Sequence, residues 1–124
     1  MGFTYFEMPN DVDDSIPLIY MWEIRNHRDE VVYRDVGRSL HGAKRPRVDY
    51  QRNVANLRDG LPYRPGNPNG FREVHRWLYQ ATLEGFAIKL YLLRNVDDRD
   101  DINEAKQSVQ ALYLTEPYLP VTTD

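Results

Sequence analysis

The chain has 124 residues, enough for one domain around one modest core, and its 41% hydrophobic and 28% charged composition is that of an ordinary globular protein. It has no cysteine, which excludes a disulfide framework and thiolate metal sites, and it lacks both an apolar run of membrane-span length and a basic-then-apolar leader pattern. The expectation is a cytoplasmic or nucleoid-associated protein, neither secreted nor bound to a membrane. A net charge of -3 argues against coating nucleic acid by bulk electrostatics, but the charges are uneven. Arg34, Arg38, Lys44, Arg45, Arg47, Arg52 and Arg58 crowd the middle of the chain against Asp35 and Asp49, while acids gather at residues 7–14 and 97–104.

In chain order, residues 1–16 read as an extended aromatic arm followed by an acidic loop, with Pro17 restraining entry to the next element. Leu18-Ile19-Tyr20-Met21-Trp22-Glu23-Ile24 is the first strand. Polar residues 25–30 make a hairpin loop, and a second strand begins at Val31 and ends at Gly37. Alternation puts Tyr33 and Asp35 on one face of it. Gly37 then turns the chain into Arg38, Ser39, His41, Lys44, Arg45 and Arg47, as though something anionic sits at the turn. Pro46 suits the first turn of a helix that carries Val48, Val54, Ala55 and Leu57 and stops near Asp59-Gly60. Residues 61–70 form a loop rich in proline and glycine. Asn69 or Gly70 opens a second helix through Glu84, with Gly85 as its stop. Phe86 to Leu93 is a third strand. After an acidic turn at 97–101, Ile102, Ala105, Val109 and Leu112 mark a last helix, and Pro117 and Pro120 break up the tail. The predicted order is β-β-α-α-β-α.

Ile19-Tyr20 on one strand, Val36-Gly37 closing the next, a basic helix, and Asn103-Glu104-Ala105 opening a late helix together resemble the GIY-YIG nuclease domain. That family includes homing endonucleases, some restriction enzymes and the nuclease module of nucleotide excision repair. The resemblance covers about residues 17–114 of a single domain 1–124, leaving the arm 1–16 and an irregular tail 115–124. It implies an α/β (α+β) fold with a small, mainly antiparallel three-stranded sheet flanked by helices. It also implies a divalent-metal-dependent endonuclease with DNA as the expected partner. Leu18 stands where the first motif has Gly, and Asp35 where the second has Tyr, with Tyr33 two residues earlier on the same face.

The resemblance implies Tyr20 as a base and Tyr33 beside it. Arg45, eight residues beyond Gly37, or Arg47 would clamp the phosphate, and Glu104 would be the ligand of Mg²⁺ or Mn²⁺. Gly37, Arg38, Ser39, Lys44 and Tyr50 would contact substrate. Each role has a plainer rival. Tyr20 suits a core aromatic, and Asp101-Ile102-Asn103-Glu104 suits a helix cap with Glu104 in the first turn. The run Arg45 to Arg52 suits a solvated helix face. His41 and His75 have no partner at metal-ligand spacing, and His27 sits in the hairpin loop with no role read from the sequence. Two other functions stay open: a nucleic-acid-binding module without catalysis, and a small α/β interaction domain. A homodimer or a protein partner would help so short a chain find its substrate.

Overall fold

The computed structural model describes residues 2–97 and 101–114. The acidic turn at 97–101 lies partly outside the described residues, and the tail 115–124 lies wholly outside them. The protein is mixed α/β, and no described helix is long and apolar enough to cross a membrane. The strands are β1 (Phe6–Glu7), β2 (Leu18–Arg25), β3 (Val31–Ser39) and β4 (Ala87–Asn95). A π-helical turn, Arg45–Asp49, runs directly into α1 (Tyr50–Arg58), and α2 (Glu73–Glu84) and α3 (Ile102–Tyr113) follow.

The sheet has four strands, in the order β1-β4-β2-β3, instead of the expected three. The three long strands are antiparallel to their neighbours, while β1 adds a parallel pairing to β4 through Phe6↔Lys89 and Glu7↔Leu90. Two residues are too few to show a period-2 pattern, so this part of the arm carried no strand signal. β2 is central, and all eight of its residues are buried. Leu18, Tyr20, Trp22 and Ile24 face α1 and α2, whereas Ile19 and Met21 face α3. Glu23, fully buried on the α3 side, is held by Arg25 at 2.6 Å, Arg34 at 2.9 Å and the Tyr91 hydroxyl at 3.1 Å. Burying a carboxyl group at that depth is costly unless its oxygens are hydrogen-bonded in this way.

Two boundaries and one packing residue differ from expectation. β3 runs through Gly37 to Ser39, because Gly37 is an in-register partner of Tyr20 instead of a turn. The second helix starts at Glu73, not at Asn69 or Gly70. His75 Nδ1 accepts the Arg72 backbone N–H at 3.0 Å, so the helix is capped from within its own first turn. The fourth residue of the predicted last stripe, Leu112, is 76% exposed, and Tyr113 packs against that core instead. Gly85 does end α2, at φ 71°, in the left-handed conformation that glycine adopts without steric cost.

Candidate functional site

A cavity of about 310 Å³ opens where β2 and β3 meet the start of the helical segment. Tyr20 and Gly37 make its floor as cross-strand partners. A Cβ at residue 37 would fall inside the Tyr20 ring and hydroxyl, so only glycine lets the ring lie across β3. The end of β3 contributes Arg38 and Ser39, and the segment that follows contributes His41, Lys44 and Arg45.

Tyr20 is fully buried where it lines the cavity, and a small polar network holds its hydroxyl. Arg45 Nε donates to the Tyr20 oxygen at 3.2 Å, and the Tyr20 and Tyr50 hydroxyls lie 2.7 Å apart. Arg72 Nη2 donates to the Tyr50 oxygen at 2.6 Å. The phenol rings meet edge to face with centroids 5.7 Å apart. Burial pushes both phenol pKa values up, that of Tyr50 furthest, against the pull of the two guanidinium groups. Both tyrosines are therefore protonated at neutral pH, as hydrogen-bond donors and not as bases in the resting protein.

The charge around the cavity is positive. Arg38, Lys44, Arg45, Arg72 and Lys106 line it against the single carboxylate of Asp49. Asp49 is 3.8 Å from both Lys44 and Arg52, beyond hydrogen-bond reach. Asp35 lies behind the floor, and burial raises its pKa while Arg72, Lys106 and Arg45 draw it back down. Its Oδ2 is buried and accepts no hydrogen bond.

The expected site residues part company here. Tyr20, Gly37, Arg38, Ser39, Lys44 and Arg45 are brought together, and Tyr50 joins them through its hydroxyl. Arg47 points elsewhere, pairing at 2.7 Å with both Glu7 and Asp14. Tyr33 shares the face of Tyr20 but sits four ladder pairs away, stacked on Trp77 with centroids 4.9 Å apart.

Glu104 is exposed in the first turn of α3, does not line the cavity, and follows the Asp101 cap. The Asp101 side chain accepts the Asn103 N–H at 2.8 Å and the Glu104 N–H at 3.4 Å. At about 100° per residue, Glu104 lies far round the helix from Ile102, Ala105 and Val109, which pack on the sheet. Its neighbour Lys106, at i+4 from Ile102, reaches the cavity instead. Among the described residues no three His, Asp or Glu side chains converge as a metal cluster. A cavity holding five cationic groups and one carboxylate suits an anion, and its donors do not fit a divalent cation by themselves.

Sequence reasoning missed Arg72 and Lys106. Arg72 ends the loop before α2 and Lys106 borders the packed face of α3, positions that ordinary solvated cations also occupy. A larger hollow of about 520 Å³ lies at the other end of the sheet among Phe3, Phe6, Tyr79 and Phe86. Its lining cation, Arg58, is paired with Asp59 at 3.0 Å, so charge does not single it out. No family model, curated protein or solved structure matches the chain.

Proposed function

We propose that the protein is a GIY-YIG-like nucleic-acid-binding module whose basic cavity seats a phosphodiester group, with DNA as the ligand. The observation that carries this reading is the Tyr20 hydroxyl, fixed by Arg45 and Tyr50 at the floor of a cavity with five cationic side chains. Arg45 and Arg72 each donate to a phenol oxygen, so the proton between the two hydroxyls decides what faces the ligand. With Tyr50 donating to Tyr20, the Tyr20 O–H is left to donate to a phosphate oxygen. Arg38, Lys44 and Lys106 then supply charge to the remaining oxygens, and Arg forks bind such groups bidentately.

Few phosphates fit a patch this small. Duplex DNA should therefore bind with a shallow salt dependence, a log–log slope of about -3 for roughly three contacts. The test is binding across a salt series for the parent and the double variant Lys44→Ala/Arg45→Ala. Loss of most of the affinity and a flatter slope in the variant support the reading. Equal binding by the two proteins refutes it.

A metal-dependent GIY-YIG-type endonuclease is the second reading, favoured by the contact of Tyr20 with Arg45. For that role the Tyr20 pKa would have to fall once substrate and Mg²⁺ or Mn²⁺ enter. Nicking of supercoiled plasmid that Tyr20→Phe abolishes would support it, and Glu104→Gln reports whether that carboxylate takes part. No nicking with either metal between about pH 7 and 9 leaves binding alone.

A further inference from the structure

Beside the cavity lies an aromatic pair that phosphate binding does not use. Tyr33 on β3 and Trp77 on α2 stack nearly parallel, with an interplanar angle of 14°. The rings of the core, by contrast, meet tilted or edge to face: Phe3 with Trp22, Tyr5 with Trp22, Tyr20 with Tyr50. Offset-stacked and edge-to-face pairs are both favourable, and the stacked one holds its ring planes parallel, the orientation that a stacked base shares. Both residues pack against the main core on one side and keep part of their surface in solvent, and β3 is an edge strand of the sheet. The Trp77 indole N–H donates to Glu73 at 3.3 Å, which fixes the ring plane.

Two elements lead from the cavity to this pair. Along one face of β3 the order is Ser39, Gly37, Asp35, Tyr33, which sets the rings about 13 Å from Gly37. Along α2, Arg72 precedes the first turn at the cavity and Trp77 follows about 7.5 Å further along the axis. We propose that the Tyr33–Trp77 pair is a stacking subsite for an unpaired base of a single DNA strand whose phosphate occupies the cavity. The inference rests on the phosphodiester reading and adds the strandedness of the ligand. A base inside a duplex presents no free face to a ring, whereas an unpaired base of any sequence does.

The experiment compares a short oligothymidylate with an abasic strand of equal length, so that phosphates match and only bases differ. The parent should bind the thymidylate about tenfold tighter, the scale of stacking one base on an aromatic ring. Tryptophan emission should be quenched by the thymidylate and not by the abasic strand. Trp22 has no exposed surface, so the quenching reports Trp77. Trp77→Leu should lower thymidylate affinity to the abasic level and leave abasic affinity unchanged. Equal affinity of the parent for the two strands would overturn the subsite, as would emission unchanged at thymidylate saturation. If Trp77→Leu does not fold, the emission of the parent decides alone. Abasic binding that Lys44→Ala/Arg45→Ala removes keeps the phosphodiester reading standing even if the subsite fails. Thymidylate binding indifferent to that double variant overturns both.

Discussion

Gly37 and Tyr20 show how one missing side chain can define a site. An extended strand accepts any residue for its backbone, and here the constraint comes from the partner strand, whose aromatic ring occupies the space of a Cβ. Gly37→Ala should therefore force the Tyr20 ring off its place, costing about 1–3 kcal/mol as overpacking does. Arg45 would lose its phenol partner as well. Urea unfolding should show the loss of stability, and DNA affinity should fall with it. Unchanged stability and binding would mean that the ring does not lie where the cavity needs it. The strand that carries Tyr20 was readable in the sequence because its run of β-branched and aromatic residues is local. The Tyr20–Tyr50 hydroxyl contact was not, since it joins residues 30 apart through packing that no spacing rule encodes.

At the level of elements, α2 begins where a histidine reaches back to cap it. His75 is 1% exposed, its Nδ1 accepts the Arg72 N–H, and its Nε2 lies 3.2 Å from the Asn53 side-chain nitrogen. Burial first, then Arg72, Arg45 and Arg64, lower its pKa to about 4. A folded-state pKa below the unfolded value of about 6.5 means that the unfolded chain binds the extra proton first. His75 thus supports the fold fully above about pH 6.5, and that support fades as pH falls toward 4. The loss should amount to as much as about 3 kcal/mol. Chemical denaturation between pH 7 and about 4 should show this slope in the parent and a shallower one in His75→Gln. A parent whose stability is flat over that range would contradict the assignment. The helices themselves were legible from their apolar period, but the start of α2 was not. The loop residues Asn69 and Gly70 carry the usual cap chemistry, and the chain used His75 instead.

Across the whole molecule, the acidic N-terminal segment and the basic middle meet in a clamp that holds the cavity wall. Arg47 bonds Glu7 on β1 and Asp14 in the loop, while the Ala43 N–H donates to the Asp14 carbonyl at 2.9 Å. Arg47 of the basic stretch is thus paired with acids from the N-terminal segment and is not part of the cationic lining of the cavity. The clamp is partly solvated, so Arg47→Ala should cost no more than about 1 kcal/mol and leave DNA affinity within about twofold. Arg45→Ala should cost little stability and most of the affinity. A reversal of the two would move the ligand to the other side of the helical turn. The mixed α/β class was legible because long strands and amphipathic helices carry their period in sequence. The fourth strand, the inward Lys106 and the outward Glu104 depend on how whole elements are rotated against one another, which local pattern does not specify.

The central claim is that a DNA phosphate sits on Tyr20 between β3 and the helical turn. The most direct measurement is an amide chemical-shift map of the protein titrated with a short DNA strand. The largest changes should cluster at Gly37, Arg38, Ser39, Lys44, Arg45 and Arg72, with Glu104 and the hollow around Phe86 unmoved. Changes centred on Glu104, or on the far end of the sheet, with Gly37 silent, would contradict it.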